Sequence, residues 1–501
     1  MTGQVMRLSA LLEGAGVRPL AVIGADPEIR GAHLDSRRIE RGDLFFAIRG
    51  FQADGEKFAP EAVRRGAPAV VAASPRPDWV GPEIAWVQVE EPRVAAGLLS
   101  REYFGRPDEA LTLVGITGTN GKTTVSYLVE AIARSAGRRV GRIGTVGLAF
   151  DGVEQAGERT TPEAPDFYLT LARMRDAAID LVAMEVSSHA LALARVEGAR
   201  FAAAAFLNLS RDHLDFHVDE ERYFEAKARL FTSLTAQQHA VLPFESPYRE
   251  RLAQRTAARV ITFGRDAQAD VRVRDERCGL DGSSAVLDTP AGTLALRTPL
   301  LGAFNMDNVA AAAACALAVG LPARAITDGA GGAEPIPGRM EVVDLGQRFR
   351  VIVDYAHTPT ALMNLLRWLK PVTPGRLHVV FGCGGERDVG KRFEMGRIAA
   401  EEADRIVLTS DNPRGEDPRS ILEQIAEGVA SVDGGPTRCR MLADRAKAIE
   451  AAIAAAVAGD VVVLAGKGHE TTQTIGGQAR PFDDREVARR ALARIVHQGS
   501  S

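Results

Sequence analysis

The feature that most constrains the fold is a strand, loop and helix unit that begins at residue 111. An apolar run, LTLVGIT, leads into the glycine-rich segment GITGTNGKTT at residues 115–124, and the periodic segment VSYLVEAIARSAG follows. Glycines let backbone amides face a phosphate, Lys122 adds a positive charge, and the helix N-terminus adds a favourable dipole. The position six before Lys122 is Ile116, so the strict GxxxxGK[ST] spacing is not kept. A glycine turn that merely caps a helix is the alternative, but the context favours a phosphate-binding loop in which Thr123 coordinates magnesium.

Two further apolar runs indicate a mostly parallel sheet around this loop. DLVAMEVSS and FAAAAFLNLS are separated by helical stretches, and such runs are typical of strands buried on both faces. Glu185 ends the first run and suits a magnesium ligand at the same sheet edge, although an exposed strand end would also explain it. His213 and His217 follow the second run in a polar stretch, where a hydrogen-bonding role is the alternative to a ligand role.

The last third of the chain predicts a second doubly wound unit. Four apolar runs, FRVIVDYA, RLHVVFGCGG, DRIVLTSDNP and DVVVLAGKG, alternate with helical segments and end in polar or glycine-rich loops. Ligands of open α/β sheets bind at the carboxyl ends of the strands. The loops DYAHTP, GCGGERD, SDNPRGEDP and AGKGHE are therefore expected to line one cleft.

Length and composition set the remaining limits. At about 150 residues per domain, 501 residues predict about three domains, here 1–108, 109–334 and 335–501. A formal charge of -4 gives no sign of binding to nucleic acid or to an anionic membrane. Four scattered cysteines without a CxxC pair suit reduced thiols, and no apolar run is long enough to span a bilayer. A cytoplasmic protein is expected.

The motifs, in their order along the chain, resemble those of the Mur ligases. They are LDSRRIERGDLFFAIRGFQADG, GITGTNGKTT, TTP at 160–162, MEVSSHAL, NLSRDHLDFH, EAKARLF, FNMDN, PGRME, DYAHTP, GCGGERDVGKR, DNPR and AGKGHE, and they cover essentially the whole chain. The resemblance implies an α/β protein of three domains: an N-terminal UDP-binding domain, a central phosphate-loop ATPase domain, and a C-terminal Rossmann-like domain that carries the incoming amino acid. It also implies a role in peptidoglycan precursor synthesis, and through it in cell shape and division.

The family pattern assigns residues to two of the substrates. The UDP-linked muramoyl dipeptide would be held by Leu34, Ser36, Gln52, Ala53, Thr160, Thr161, Ser187 and Arg195. ATP would be held by Gly118, Thr119, Asn120, Gly121, Lys122, Thr123, Thr124, Asn305, Asn308, Arg339 and Asp354. Leu193 stands where the family often has Gln, and a leucine side chain cannot make the substrate hydrogen bond that Gln would make. Without the resemblance, FNMDN would be interpreted as a helix cap and DYAHTP as a turn.

The resemblance also implies a catalytic set of Lys122, Glu185, His213 and Lys227. Thr123, Glu185, His213 and Lys227 would hold Mg²⁺, with Lys227 modified to a carbamate (N6-carboxylysine). Carbamoylation turns a cation into an anion that can orient a metal ion. From the residues alone, a solvated helix lysine would be favoured at position 227.

The segment Asp411-Asn412-Pro413-Arg414 resembles the family members that add meso-diaminopimelate. The distal carboxylate of that amino acid can be gripped by a guanidinium, and lysine offers only an ammonium there. Arg387, Gly466 and Glu470 would complete the pocket, with Glu470 facing the distal ammonium. A surface arginine in a charged loop is the alternative for Arg414.

The implied reaction is amide-bond formation driven by ATP. The free side-chain carboxylate of UDP-N-acetylmuramoyl-L-alanyl-D-glutamate would attack the γ-phosphate to give an acyl phosphate, which the amino group of diaminopimelate would then attack. A monomer is expected. The alternatives are a lysine-adding Mur ligase, a folylpolyglutamate-type ligase with the same GTNGKT loop, and a regulatory phosphate-loop ATPase.

Overall fold

The N-terminal region, residues 3–108, is a small sheet with helices on it. A computed structural model describes residues 3–50, 53–157 and 159–499. Five strands form one sheet in the order β2-β7-β6-β5-β4, parallel except for β2, and β1 pairs with β3. The strands are β1 (Met6–Arg7), β2 (Ala21–Ile23), β3 (Glu28–Ile29), β4 (Gly31–His33), β5 (Asp43–Phe46), β6 (Ala69–Ala72) and β7 (Ala85–Gln88), and the helices are α1 (Leu8–Gly14), α2 (Ala59–Arg64) and α3 (Pro92–Tyr103).

The central region is built on an eleven-stranded sheet. Its strands are β8 (Thr112–Thr117), β9 (Val140–Gly144), β10 (Gly147–Phe150), β11 (Val153–Gln155), β12 (Leu181–Glu185), β13 (Phe201–Phe206), β14 (His239–Pro243), β15 (Arg259–Gly264), β16 (Val271–Gly279), β17 (Gly282–Thr289) and β18 (Gly292–Thr298). Its helices are α4 (Lys122–Ser135), α5 (Ala164–Asp176), α6 (Ser188–Ala192), α7 (Leu214–His217), α8 (Glu220–Thr232), α9 (Arg249–Ala253), α10 (Ala303–Ala318) and α11 (Ala323–Gly331).

The order in this sheet, β11-β10-β9-β12-β8-β13-β14-β15-β16-β17-β18, places the phosphate-loop strand β8 between β12 and β13. All strands from β9 to β16 in that order run parallel, and antiparallel strands extend both edges. The predicted mostly parallel sheet is confirmed. Because β8, β12 and β13 end at one edge, the segments after them lie side by side.

The C-terminal region contains a six-stranded sheet in the order β19-β20-β24-β21-β22-β23, parallel except for β19, and a separate β25–β26 hairpin. The strands are β19 (Glu341–Val343), β20 (Arg350–Asp354), β21 (Leu377–Phe381), β22 (Arg405–Leu408), β23 (Cys439–Met441), β24 (Val461–Ala465), β25 (Thr472–Ile475) and β26 (Gln478–Pro481). The helices are α12 (Pro359–Val372), α13 (Gly390–Glu402), α14 (Pro418–Ala430), α15 (Arg445–Ala455) and α16 (Asp484–Gly499). The doubly wound unit predicted here is confirmed.

The hydrophobic pattern explains why the site lies at the strand ends. Strands β8, β12, β21 and β24 are almost wholly buried, as strands covered by helices on both faces must be. Helix α4 packs its apolar face on the sheet through Val125, Leu128, Val129 and Ile132. Each buried side chain of this size contributes roughly 1.5 to 3 kcal/mol. The polar loops are what remains exposed at the edge of the sheet.

The helix cap expected at FNMDN is not what the structure has. FNMDN does not cap a helix: it lies inside the first turns of α10, which begins after Gly302 at a φ of 98°. Asn305 instead donates its side-chain amide back to the Leu301 carbonyl at 2.7 Å.

The four cysteines are free, as expected. Within the part of the chain that is described, no helix has the length and apolar character needed to cross a membrane.

Candidate active site

The phosphate loop is a tight turn between β8 and α4. Gly118 and Gly121 have φ of 155° and 90°, in the region that favours glycine. A Cβ on Gly121 would stand 2.4 Å from Oδ1 of Asn308, so only glycine fits there. Thr119, Thr123 and Thr124 are buried beside it. The loop is thus pre-shaped, and its helix N-terminus is directed at the sheet edge.

Two lysine side chains converge on the loop. Nζ of Lys122 donates to the carbonyls of Gly118 at 2.8 Å and Thr119 at 2.9 Å, and Nζ of Lys227 donates to the same Gly118 carbonyl at 2.9 Å. Lys227 is 1% exposed and its ammonium lies 4.5 Å from the ring centroid of Tyr223. Burial, reinforced by the charge of Lys122, holds the pKa of Lys227 well below its ordinary value. The solvated-helix alternative for Lys227 is therefore wrong.

Glu185 ends β12 beside the phosphate loop and is 1% exposed. Its Oε1 accepts from the Thr123 hydroxyl at 3.0 Å and from the Thr145 amide at 2.8 Å, and its Oε2 accepts from the Thr145 hydroxyl at 2.9 Å. The exposed-strand-end alternative is excluded by this burial. Thr145 was not predicted from the sequence, because a lone threonine after a short strand carries no pattern.

Among the described residues, no three His, Cys, Asp or Glu side chains come together in a way that could hold a metal ion. A buried carboxylate next to a threonine hydroxyl at a phosphate loop nonetheless fits Mg²⁺, which retains several waters and takes further oxygens from substrate phosphates. The residues that fit are Thr123 and Glu185, and the remaining coordination would come from water and phosphate.

The segment after β13 braces the phosphate loop from the other side. Oδ1 of Asn208 accepts from the Asn120 amide at 2.9 Å, and its Nδ2 donates to the Asn120 carbonyl at 3.1 Å. The Thr119 hydroxyl lies 3.3 Å from the Ser210 carbonyl and 3.2 Å from the Tyr223 hydroxyl. Sequence reasoning did not assign Asn208, although it begins the NLSRDHLDFH motif, or Tyr223, which lies two residues before EAKARLF.

His213 lies in the same segment with a φ of 55°. Its ring is 3.4 Å from Asp212 and has an edge-on contact with His189, with ring centroids 4.8 Å apart. The side chain is 44% exposed. His217 is instead buried and pairs with the Ser188 hydroxyl at 2.9 Å, so it has the satisfied hydrogen-bonding role that was its alternative.

The remaining predicted nucleotide residues surround the loop. Asn308 donates to Oδ1 of Asn305 at 2.8 Å, and both are buried next to Gly121. Arg339 donates to the Thr123 hydroxyl at 3.2 Å and its guanidinium lies 4.5 Å from the ring centroid of Tyr355. Asp354 accepts from the amides of Met340 and Ala356, both at 2.8 Å. Burial raises the pKa of this carboxyl and Arg339 opposes the shift.

The predicted muramoyl-dipeptide residues of the central region converge on Glu185. The Thr161 hydroxyl donates to the Glu185 carbonyl at 2.8 Å and accepts from the Ser187 amide at 3.1 Å. Arg195 donates to the Thr161 carbonyl at 3.2 Å, and the hydroxyls of Thr160 and Thr145 are 3.0 Å apart. The C-terminal cap of α6 is Leu193.

The predicted uridine residues lie in the N-terminal sheet region. Ser36 is buried and donates to Glu61 at 2.9 Å, Leu34 packs against the core, and Ala53 is exposed. Gln52 lies outside the described residues. Two residues after Ser36, Arg38 pairs with Asp166 of α5 at 2.9 Å. This ion pair joins the predicted uridine segment to the helix that follows Thr160 and Thr161.

A cavity of about 260 Å³ opens between the central and C-terminal regions. On the central side it is lined by His189, Arg211, Asp212, His213 and Asp215; on the C-terminal side it is lined by Tyr355, His357, Thr358, Pro359, Gly382, Cys383, Gly384, Arg387, Asp388, Lys391, Asp411, Asn412, Arg414, Gly466 and Glu470. All four C-terminal loops contribute, which confirms the single cleft expected from the strand ends. Arg211 and Asp388 face each other across it at 3.7 Å.

Arg414 points into this cavity. Its Nη1 donates to the Gly385 carbonyl at 2.6 Å, and its backbone has a φ of 56°. The loop stands close to its neighbour: the Gly385 amide donates to the Asn412 carbonyl at 2.9 Å, and a Cβ on Gly385 would lie 2.0 Å from the Pro413 carbonyl. The half-buried side chain of Arg414 lines the cavity, and its role as a ligand of the amino acid stays a prediction.

Glu470 lines the same cavity, in contact with two other polar side chains. Its Oε2 accepts from Lys467 at 2.7 Å and from Asn412 at 2.8 Å. Gly466 has a φ of 111°, and a Cβ there would lie 2.7 Å from Oδ2 of Asp411. Lys467, whose side chain is fully buried, was not predicted. The glycines around it in AGKGHE were the available signal.

Comparisons with known proteins agree with this geometry. The family model described as "Mur ligase family, catalytic domain" matches residues 28–103, "Mur ligase middle domain" matches 116–316, and "Mur ligase, glutamate ligase domain" matches 338–468.

A UDP-N-acetylmuramoyl-L-alanyl-D-glutamate--2,6-diaminopimelate ligase of Geobacillus kaustophilus (strain HTA426) is 43% identical over 94% of this chain and 96% of its own length. A solved structure of an enzyme with that name is 34% identical, with a TM-score of 0.69, and covers 99% of this chain and 100% of that one. MurF ligase from Thermotoga maritima in complex with ADP, 19% identical, shares the fold with a TM-score of 0.62 over 94% of this chain and 97% of its own. The chain belongs to the Mur ligase family.

Proposed function

We propose that this chain is the ATP-dependent ligase that joins meso-diaminopimelate to UDP-N-acetylmuramoyl-L-alanyl-D-glutamate. The observation that carries the proposal is the shared cavity, which is lined by Asp212 and His213 from the phosphate-loop side and by Arg414 and Glu470 from the other. A carboxylate activated on the first side would be within reach of an amine held on the second. The names of the relatives at 43% and 34% identity support the same substrates.

Two steps follow from the chemistry of a carboxylate. An oxygen of the D-glutamyl side-chain carboxylate forms a bond to the γ-phosphorus of ATP while the bond to ADP breaks, which gives an acyl phosphate. The amine nitrogen of diaminopimelate then bonds to the acyl carbon, the amine loses a proton, and phosphate leaves. Lys122 and the helix α4 N-terminus would stabilise the charge on the transferring group.

In the first step the protein positions the two substrates and excludes water. Thr160, Thr161, Ser187 and Arg195 would hold the muramoyl dipeptide, because Thr161, Ser187 and Arg195 bond to one another beside Glu185. Leu34, Ser36, Gln52 and Ala53 would hold the uridine diphosphate, and Arg38, two residues after Ser36, pairs with Asp166 of α5. Asn305, Asn308, Arg339 and Asp354 would contact ATP. Positional isotope exchange in ATP, with the dipeptide and without amino acid, tests the acyl phosphate; no exchange would count against it.

Mg²⁺ bound near Thr123 and Glu185 would neutralise phosphate charge. We propose that Lys227 carries a carbamate and that His213 belongs to the same site. The support is that burial and Lys122 favour a neutral amine at Lys227, and a neutral amine can bond to CO₂ and release a proton. A ¹³C-bicarbonate NMR signal for a carbamate, lost in Lys227→Met, tests this; an unchanged spectrum in that variant would contradict it.

Arg414 and Arg387 would bind the distal carboxylate of diaminopimelate, and Glu470 would bind its distal ammonium. Support comes from the contacts: Arg414 uses Nη1 on Gly385, which leaves its other nitrogens toward the cavity, and Glu470 uses Oε2 on Lys467 and Asn412, which leaves Oε1. A charge-assisted hydrogen bond contributes about 1.5 to 3 kcal/mol.

The deciding assay is phosphate release with ATP and the UDP-dipeptide against diaminopimelate, lysine, ornithine and glutamate. We expect turnover with diaminopimelate and at most a small fraction of it with the others. Equal turnover with lysine would instead support the lysine-adding alternative, and release without any amino acid would support a regulatory ATPase. A folylpolyglutamate-type activity would appear as turnover with a folate acceptor in place of the UDP-dipeptide.

We further propose that the domains are 1–108, 109–334 and 335–501, and that the protein acts as a cytoplasmic monomer. The three largest sheets and the three matched segments, 28–103, 116–316 and 338–468, each fall within one of these ranges. Limited proteolysis that cuts near residues 108 and 334 would support the boundaries, and light scattering tests the monomer.

A further inference from the structure

The hairpin formed by β25 and β26 lies beside the loop that carries Arg414. The Arg414 amide donates to the Thr474 carbonyl at 3.0 Å, and the Gly476 amide donates to the Arg414 carbonyl at 2.7 Å. Both backbone groups of Arg414 are therefore bonded to the hairpin. The hairpin lies outside every motif on which the family resemblance rests.

Gln473 fixes the start of the same loop. Its side chain is 7% exposed, and its Nε2 donates to the carbonyls of Asp411 at 2.7 Å and Ser410 at 3.3 Å. The next residue, Thr474, donates its amide to Oδ1 of Asn412 at 2.9 Å. One short strand thus bonds to the loop at each of residues 410, 411, 412 and 414.

Lys467 ties these contacts to Glu470. Its fully buried Nζ donates to the Thr472 carbonyl at 2.7 Å, to Oε2 of Glu470 at 2.7 Å and to Oδ1 of Asn412 at 3.3 Å. A buried ammonium is tolerated only when it is paired and hydrogen-bonded, so this geometry is well determined. The hairpin, the Arg414 loop and the Glu470 loop form one bonded unit.

Arg414 needs such support. Its φ of 56° is a left-handed conformation that is unfavourable for a residue with a side chain. The Gly476 and Thr474 bonds hold that conformation, and in it the guanidinium lines the cavity. Without them the loop would relax to negative φ, and the guanidinium would leave its position in the cavity lining.

We propose that Lys467, Gln473, Thr474 and Gly476 form a clamp that sets the recognition of the incoming amino acid without touching it. Gln473 and Lys467 are positioning residues, which act through Arg414, Asn412 and Glu470. The inference rests on the proposed function, because it assigns the clamp to the pocket for diaminopimelate.

The test compares Gln473→Leu with Gln478→Leu, the same change at an exposed position of β26 in the same hairpin. Removing the Gln473 donor leaves two buried carbonyls without it, and we expect KM for diaminopimelate to rise about tenfold. KM for ATP and for the UDP-dipeptide, and kcat at saturating diaminopimelate, should stay within about twofold of wild type. Gln478→Leu should match wild type throughout.

An unchanged KM for diaminopimelate in Gln473→Leu would overturn the clamp, as would a parallel change in the constants of all three substrates. Should Gln473→Leu not fold, Lys467→Arg decides: it keeps the charge but alters the geometry, and the same selective rise in KM is expected. Wild-type protein that does not turn over diaminopimelate would refute the proposed function instead, so the two failures are distinguishable.

Discussion

The two sides of the cavity are built in different ways. The phosphate side is centred on one continuous loop, residues 115–124, and the groups around that loop bond to the protein itself: Lys122 and Lys227 share the Gly118 carbonyl, and Glu185 accepts three hydrogen bonds. The amino-acid side is assembled from four loops that are far apart in sequence, and its charged groups use only part of their bonding capacity on neighbours. The first side is a fixed cradle, and the second depends on the sheet that carries its loops.

This difference separates phosphate binding from the choice of amino acid. A phosphate binds in the same way whatever is being joined, so a local strand, loop and helix unit is sufficient. Recognition of one amino acid requires opposite charges at a set distance, and here loops that follow different strands supply them. Changes on the two sides should therefore have separable effects.

The largest expected effect is on the free energy of unfolding, through a buried ion pair next to the amino-acid loops. Arg445 and Asp484 form a fully buried ion pair at 2.6 Å, and Arg445 also donates to the Ala465 carbonyl at 3.0 Å, at the end of β24. Asp484→Ala leaves an unpaired buried guanidinium and should lower the free energy of unfolding by about 3 to 5 kcal/mol.

Chemical denaturation measures this change. Glu450→Ala removes the partner of Arg494 in an exposed pair and is the matched control, expected to cost at most about 1 kcal/mol. If Asp484→Ala lost as little unfolding free energy as Glu450→Ala, the C-terminal loops would not depend on the Arg445–Asp484 pair.

The next effect tests the phosphate side alone. Lys122→Met removes the charge directed at the loop and should lower kcat by about 10² to 10³, or roughly 2.7 to 4 kcal/mol, with little change in diaminopimelate binding. ATP-dependent phosphate release measures it. The control is Lys447→Met, at a side chain that is 75% exposed, which should leave turnover unchanged. A loss of diaminopimelate affinity in Lys122→Met would mean that the two sides of the cavity do not act independently.

Arg414→Ala is the corresponding test of the amino-acid side. Loss of a charge-assisted contact with the distal carboxylate should raise KM for diaminopimelate by about 10- to 100-fold, or roughly 1.5 to 3 kcal/mol, while ATP binding persists. Steady-state kinetics and ATP titration measure the two quantities. Arg419→Ala, at an exposed arginine of the same segment, should change neither. Unchanged turnover with diaminopimelate in Arg414→Ala would remove this residue from specificity.

The same contrast explains what could be predicted from the sequence. The phosphate loop, Glu185 and the four C-terminal strand ends follow from apolar runs and glycine spacing, and the single cleft follows from parallel topology. Thr145 and Gln473 act through contacts between segments far apart in the chain, so no local pattern marks them. The carbamate at Lys227, the metal role of His213 and the ligand roles of the other site residues stay predictions.

The smallest expected effect is a pH dependence at His469, which packs against Tyr355 with ring centroids 5.2 Å apart. Burial, with Arg339 and Arg485 nearby, lowers the pKa of this imidazole to about 4. The unfolded chain takes up a proton near pH 6.5 and the folded one only near pH 4, so this contribution to stability is complete above about pH 6.5 and is lost as the pH falls toward 4. Because the ring is partly exposed, we expect a loss on the order of 1 kcal/mol. His469→Gln cannot titrate, so its free energy of unfolding should fall less than that of wild type between pH 7 and 4.5. Parallel curves of unfolding free energy against pH would mean that the ring is protonated equally in the folded and unfolded states. The His469 loop would then be open to solvent, unlike the phosphate loop.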